Sequence, residues 1–134
     1  MREIKFRAWD NKENKYFKPT YAAYKGELRD LSIGLGGDII RRTLDMPAEH
    51  QSMFPNQYIL EQYTGLKDKN GKEIYEGDII NSYQNDYNPT EVYWDNELAQ
   101  WSTTNYHSTL SLTDSIDSNI IILGNIHENP GLIK

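Results

Sequence analysis

Residues 62–80 read QYTGLKDKNGKEIYEGDII, and they are the segment of the chain that carries the most structural information. Asn70 and Gly71 predict a tight type I′ reversal, because both central residues of that turn need positive φ and these residue types adopt it at low cost. Gly77 and Asp78 predict a bend before the apolar run that follows, with the Asp78 carboxylate capping backbone N–H groups. The segment therefore predicts a strand, a turn, a bend and a second strand in close succession.

The same segment resembles the signature of the YopX family of phage and prophage proteins, in which Tyr-Thr-Gly-Leu-Lys-Asp leads into Glu-Gly-Asp and an apolar strand. Residues 1–10 (MREIKFRAWD) match the opening of that family, and residues 124–130 (GNIHENP) match its close. The resemblance implies a small cytoplasmic bacterial protein of mobile-element origin, and it implies no catalytic residue. The residues to which we assign the structural motif are Tyr63, Gly65, Asn70, Gly71, Gly77, Asp78, Gly124 and Asn125.

The composition is that of one small domain and excludes several kinds of site. A chain of 134 residues buries roughly two thirds of its unfolded surface, and ten Tyr and three Trp supply large amphipathic side chains for a core. The absence of cysteine excludes disulfides and thiolate metal sites and fits a reducing cytosol. No run approaches the roughly 18 apolar residues that cross a bilayer, so we expect no membrane contact. The resemblance to the YopX family implies a cytoplasmic location in a bacterial host.

The first half of the chain predicts a β hairpin followed by short elements. Ile4, Phe6 and Ala8 alternate with charged residues, which predicts a strand with these three side chains buried, and Tyr16 can return beside it. Pro47 suits the first turn of a helix, so one short helix of about two turns is expected near residues 47–53. The other predictions are short strands or turns in 21–33, a glycine turn at 34–37, a strand at 38–44 and a strand at 58–63.

The second half predicts a small sheet. Five short strands separated by turns within about 60 residues are typical of an SH3-like barrel or a rolled antiparallel sheet, here from about residue 65 to 126. The predicted fold class is therefore mainly β, α+β with a minor helical part. We expect a single domain over residues 1–134, with an N-terminal lobe at 1–60 and an SH3-like C-terminal lobe at 61–134.

The charge is divided along the sequence, and this raises the question of a polyanionic partner. Residues 1–46 carry ten Lys and Arg against seven Asp and Glu, whereas residues 47–134 carry four against thirteen. Cations interleaved with aromatic residues on the N-terminal hairpin can contact phosphates and stack on bases. A solvated surface, or attraction between lobes or subunits, explains the pattern more simply, because the acidic remainder repels nucleic acid. The candidate nucleic-acid contacts are Arg2, Lys5, Arg7, Trp9 and Lys15.

Two groups of ionisable residues are candidates for chemistry. The carboxylates of Asp68, Glu73, Glu76 and Asp78 fall within eleven residues, where they could form an acid and base pair or ligate a divalent ion. Carboxylates around glycine turns usually cap backbone N–H groups, and we favour that role. His127 is expected to pack and form a hydrogen bond. We therefore assign no catalytic, cofactor-binding or metal-binding residue.

The function that these observations favour is that of a non-enzymatic phage or prophage accessory protein, without a cofactor. It is expected to act through protein binding and self-association, as a homo-oligomer that meets an unknown phage or host protein. Edge strands and exposed aromatic residues favour such contacts. The alternative is a nucleic-acid-binding regulator that uses the basic aromatic hairpin.

Overall fold

The computed structural model describes residues 3–22, 25–81, 89–104, 109–111 and 120–133. These residues are mostly β and contain no long helix, which confirms the predicted fold class, while SH3-like closure stays a prediction. The 3-10 turns at Gln51–Met53 and Pro130–Leu132 are short. A search of these residues found no helix with the length and apolar character that crossing a membrane requires.

The strands that lie in the described residues are numbered in chain order. They are β1 (Phe6–Asp10), β2 (Lys15–Tyr16), β3 (Thr20–Ala22), β4 (Glu27–Ile33), β5 (Ile39–Thr43), β6 (Met46–His50), β7 (Tyr58–Lys67), β8 (Glu73–Tyr75), β9 (Asp78–Asn81), β10 (Thr90–Glu91), β11 (Tyr93–Asp95), β12 (Gln100–Thr104), β13 (Thr109–Ser111) and β14 (Ile121–Asn125).

The chain divides into two compact units. The first comprises Met1–Arg7 and Leu60–Lys134, and the second comprises Ala8–Ile59. The sequence predicts one domain with lobes at residues 1–60 and 61–134, whereas the first seven residues here belong to the same unit as residues 60–134. The first unit consequently holds seven Lys and Arg against thirteen Asp and Glu, and the second holds seven against seven. The acidic unit therefore includes the cations at the start of the chain.

The first unit is built from short antiparallel strands around an apolar core. Strand β9 lies between β10 and β14, strand β12 lies between β11 and β13, and β7 pairs with β8. Asp78, Ile79 and Ile80 of β9 are all buried, so both faces of this strand are covered. The core contains the buried residues Ile74, Ile80, Val92 and Ile120, with Leu66, Trp101 and Ile122 packed against it.

The reversal between β7 and β8 is present, but it is not a type I′ turn. The N–H of Gly71 donates to the carbonyl of Asp68 at 3.0 Å, and the N–H of Asp68 donates to the carbonyl of Lys72 at 2.8 Å. Gly71 has a φ of 83°, whereas Asn70 is not at positive φ. This is the three-residue loop in which a glycine forms a bulge after an ordinary turn. The Asp68 carboxylate selects it by accepting the N–H groups of Asn70 and Lys72, each at 2.9 Å.

The second unit contains a hairpin and a four-stranded sheet. β1 pairs with β2, with Trp9 opposite Tyr16, as the sequence predicts. The sheet has the order β3-β4-β5-β6, so the predicted short strands in 21–33 and 38–44 are also present. The prediction of a two-turn helix near residues 47–53 is wrong. Residues 46–50 form strand β6, and a single 3-10 turn follows it. Pro47 is tolerated in β6 because that strand lies at the edge of the sheet.

The buried face predicted for the first strand is wrong at two of its three positions. Ile4 is 63% exposed and Phe6 is 42% exposed, while Ala8 is buried as expected. Apolar alternation misassigns the face because the neighbouring cation, Arg7, reaches buried carboxylates. An ionic contact of Arg7, rather than the hydrophobicity of Ile4 and Phe6, therefore decides which side chains of this segment point inward.

Candidate functional site

A buried group of charged side chains lies in the first unit. Arg7 Nε donates to Glu61 Oε1 at 2.8 Å, and Arg7 Nη2 donates to Asp78 Oδ1 at 2.9 Å. The Arg7 side chain is 22% exposed and the two carboxylates are 3% and 4% exposed. Arg7 Nη2 also reaches the carbonyl of Glu76 at 3.3 Å. We call Arg7, Glu61, Asp78 and His127 the ionic cluster, because the imidazole Nε2 of His127 lies 3.1 Å from Glu61 Oε2.

The bend at Gly77 positions the carboxylates of the ionic cluster. Gly77 has a φ of 87°, and a Cβ built on it would collide with the Glu61 carboxylate. The bend is fixed by hydrogen bonds from Gly77 N–H to the carbonyl of Val92 at 2.8 Å and from Ile126 N–H to the carbonyl of Gly77 at 2.9 Å. Asp78 Oδ2 accepts the N–H of Tyr75 at 2.8 Å, which is the capping contact expected from the sequence. A glycine is therefore required here by conformation and by space.

A turn after β14 holds His127. Asn125 Oδ1 accepts the N–H groups of His127 and Glu128 at 3.0 and 2.8 Å, and Asn125 Nδ2 donates to Glu128 Oε1 at 2.9 Å. Gly124 precedes this turn because a Cβ there would collide with the side chain of Asn129. The turn thus orients the imidazole toward Glu61, and His127 packs with a hydrogen bond as expected.

A cleft of about 370 Å³ opens in the same unit, lined by Gln62, Glu76, Trp94 and Trp101. Trp94 and Trp101 are directly opposed in the β11–β12 pair, with ring centroids 5.0 Å apart and ring planes at 72°. Trp101 packs against the core, whereas Trp94 is 41% exposed. The backbone N–H of Gln62 donates to Glu76 Oε1 at 3.3 Å. We call these four residues the tryptophan cleft.

Three carboxylates of the first unit have a raised pKa, and one of them, Glu76, lines the tryptophan cleft. Burial raises the pKa of Glu76, and the nearby negative charge of Glu61 adds to the effect. Burial also raises the pKa of Glu91, together with the charges of Glu61 and Glu76. Burial raises the pKa of Asp78 as well, although the Arg7 guanidinium opposes this change. Each shift indicates that a negative charge is destabilised in this region.

A family model described as YopX protein matches residues 5–134. The chain belongs to the YopX family. The family identified from the sequence is thereby confirmed. Among solved structures, the chain is similar to protein EF1440 from Enterococcus faecalis, with 26% identity over 100% of both chains and a TM-score of 0.58. It is also similar in fold to protein yopX from Bacillus subtilis, with 20% identity over 100% of this chain and 98% of that one and a TM-score of 0.61. The curated proteins contain no match.

The structure brings together the three separated segments by which the chain resembles the YopX family. The opening segment supplies Arg7, the central segment supplies Gly77 and Asp78, and the closing segment supplies His127. All of them meet at Glu61, which lies one residue before the central segment. A single acid inside the apolar run at residues 58–63 was the signal that could have identified it, because an unpaired buried carboxylate is costly.

The other predicted carboxylates have separate structural roles. Burial opposes ionisation of Asp68, but N–H donors from Lys72, Ile122 and Asn70 outweigh it and lower its pKa. Glu73 forms an ion pair with Lys5. Within the described parts of the chain, no group of three or more His, Asp and Glu side chains is arranged to hold a metal ion.

The predicted nucleic-acid contacts of this YopX-family protein have different local surroundings. Lys5 pairs with Glu3 and Glu73, Arg7 belongs to the ionic cluster, and Trp9 is buried. Lys15 is exposed, and Arg2 lies outside the described residues. Of the motif residues, Tyr63 is buried with its ring 5.5 Å from that of Tyr75, and Gly65 has a φ of 88° within β7. Trp94 and Trp101 were not predicted as site residues, although their positions on either side of a short turn place them opposite each other.

Proposed function

We propose that this YopX-family protein is a non-enzymatic phage or prophage accessory protein that acts in the bacterial cytoplasm by binding another protein through the tryptophan cleft. The observation that supports this proposal is the exposure of Trp94 beside the half-buried carboxylate of Glu76 in an open cleft. Tryptophan is among the residues that contribute most to binding energy at protein interfaces. The cleft therefore has the lining of a contact surface.

The chemistry of the lining favours binding over catalysis. A carboxylate with a raised pKa, such as that of Glu76, is also found in general acids. Among the described residues, the other lining side chains are two indoles and an amide, which do not transfer protons or act as nucleophiles. The His127 imidazole is held by Glu61 in the ionic cluster. In the described part of the structure, every buried side-chain polar atom has a hydrogen-bond partner, which supports a structural role for the cluster.

Self-association forms the second part of the proposal. Several large apolar side chains of the second unit are exposed, among them Leu35, Leu44, Met46 and Met53. Met46 lies on β6, at one edge of the β3-β4-β5-β6 sheet, where a strand of another copy can pair with it. Sedimentation equilibrium at micromolar concentration should show a homo-oligomer. Met46→Lys should shift it toward the monomer, and a wild-type protein that remains monomeric would exclude self-association.

The binding proposal is tested by affinity capture from host cells, with and without nuclease treatment. The wild-type protein should retain protein partners after nuclease, whereas Trp94→Ala should lose them. Leu98→Ala is the matched control, because Leu98 is an exposed apolar residue that does not line the cleft. Equal capture by the wild-type and Trp94→Ala proteins would refute binding through the cleft, and loss of all partners after nuclease would favour nucleic acid instead.

A further inference from the structure

Among the residues that the structure describes, no cationic side chain pairs with the Glu76 carboxylate. One oxygen accepts the Gln62 N–H at 3.3 Å, and no cation of the described residues lies within ion-pair distance of either oxygen. Its burial and the nearby charge of Glu61 both disfavour ionisation. A half-buried carboxylate in this environment is stabilised by an incoming positive charge.

The two tryptophans supply the complementary part of such a site. The faces of indole rings attract cations, and the attraction is stronger when water is excluded. Trp94 and Trp101 meet edge to face at 72°, so one ring presents its face beside the edge of the other. A cation in this cleft can contact an indole face while it pairs with Glu76.

We propose that the tryptophan cleft binds the cationic side chain of a lysine or arginine that a partner protein presents. The inference rests on the proposed function, since it specifies the partner for the same cleft. The first unit carries seven cationic and thirteen acidic residues, so its field attracts a basic segment and repels phosphate. The nearby carboxylate of Glu91, whose pKa responds to the charge of Glu76, adds to this attraction.

The test is a titration of the ¹⁵N-labelled protein with short peptides, followed by NMR. The peptides are acetylated and amidated glycine pentapeptides with a central arginine, lysine or norleucine. The chain has three tryptophans, and the indole N–H signals of Trp94 and Trp101 should move with the arginine or lysine peptide while that of Trp9 stays in place. The norleucine peptide should leave all three unchanged. Raising the salt concentration from ~0.05 to ~0.5 M should weaken the binding of the cationic peptides, because screening reduces ionic attraction.

Two variants isolate the charge. Glu76→Gln should weaken binding of the cationic peptides about tenfold, which corresponds to the loss of one charge-assisted contact. Glu97→Gln removes the same charge from an exposed position outside the cleft and should change binding less than about twofold. The inference is overturned if neither cationic peptide moves the two signals, if norleucine moves them equally, or if Glu76→Gln binds like the wild type. A shift of these signals by oligothymidine in place of the peptides would also overturn it.

The outcome separates this inference from the proposed function. If capture of a protein partner depends on Trp94 but neither cationic peptide binds, the cleft is a contact surface for another chemistry and only the inference fails. If the cationic peptides bind but Trp94→Ala does not change capture, the cleft recognises a cation and the proposed function fails.

Discussion

The guanidinium Nε of Arg7 lies 2.8 Å from Oε1 of Glu61, and the two residues are 54 positions apart in the chain. The contact joins β1 to β7 within the first unit, and the same guanidinium extends it to Asp78 on β9. Charges that are this deeply buried are stable only with a partner, because each has lost most of its hydration. The fold of the first unit therefore depends on a pair that local sequence does not reveal.

Replacement of Arg7 by methionine should be strongly destabilising. Arg7→Met leaves two buried carboxylates without their cation, and we expect a loss of about 3–5 kcal/mol in the free energy of unfolding. Urea denaturation at neutral pH measures the loss. Lys15→Met is the control, because Lys15 is an exposed cation, and it should change the stability by less than about 0.5 kcal/mol. Equal stabilities of the two variants would show that the pair does not stabilise the fold.

Replacement of Gly77 by alanine should cost more stability than replacement of Gly71, although the two glycines have nearly the same φ. Gly77 has a φ of 87° and Gly71 a φ of 83°, but a Cβ would meet the Glu61 carboxylate at the first and nothing within 4 Å at the second. Gly71→Ala should cost about 1–2 kcal/mol from the left-handed conformation alone. Gly77→Ala should cost a further ~1–3 kcal/mol because the carboxylate must move away from its partners.

Chemical denaturation of both glycine variants provides the comparison. The free energies of unfolding of the wild type and Gly71→Ala should differ only by the cost of placing alanine in the left-handed backbone conformation. If Gly77→Ala is no less stable than Gly71→Ala, Glu61 moves aside without cost and the close approach has no structural importance.

The sequence predicts those parts of the fold that depend on neighbours in the chain. The β1–β2 hairpin, the reversal near Gly71 and the capping carboxylate of Asp78 are all set by turn-forming residues within a few positions. The predicted type of reversal was wrong because the choice between two turns depends on Asp68, whose carboxylate accepts one N–H group inside the loop, from Asn70, and one directly after it, from Lys72. Local signals thus place a turn more reliably than they define its geometry.

The remaining features could not be predicted, because they depend on contacts between distant residues. Pro47 is compatible with a first helical turn, yet pairing of residues 46–50 with β5 determines the strand. The meeting of Arg7, Glu61 and His127 requires three strands to be positioned first. The tryptophan cleft likewise depends on the β11–β12 register, which the intervening turn suggests but does not fix.

Two isoleucines test the difference between the predicted and the observed core. Ile80 is completely buried among the core residues, whereas Ile4 is 63% exposed despite its apolar alternation. Ile80→Ala should cost about 2–5 kcal/mol because it removes buried methyl groups and leaves a cavity. Ile4→Ala should cost less than about 0.5 kcal/mol. Thermal and urea unfolding measure both, and a large loss for Ile4→Ala would restore the buried strand face that the sequence alone predicts.

The Glu76 carboxylate should reduce the stability of the protein at neutral pH. Its pKa is raised above the usual value of 4.5 by burial and by the charge of Glu61, so between that value and the raised value the folded state binds more protons than the unfolded state. The contribution of Glu76 to the free energy of unfolding is therefore fully present below pH 4.5. It is lost as the pH rises through the pKa that Glu76 has in the folded state. Glu76→Gln should be more stable than the wild type at pH 7, and the two should converge as the pH falls toward 4.5. Urea denaturation of both proteins across this pH range measures the difference between their free energies of unfolding. Groups such as Asp68 titrate equally in both proteins, so their contributions cancel in this difference. A difference that is constant with pH, or a less stable Glu76→Gln at pH 7, would mean that the carboxylate is compensated and needs no external cation.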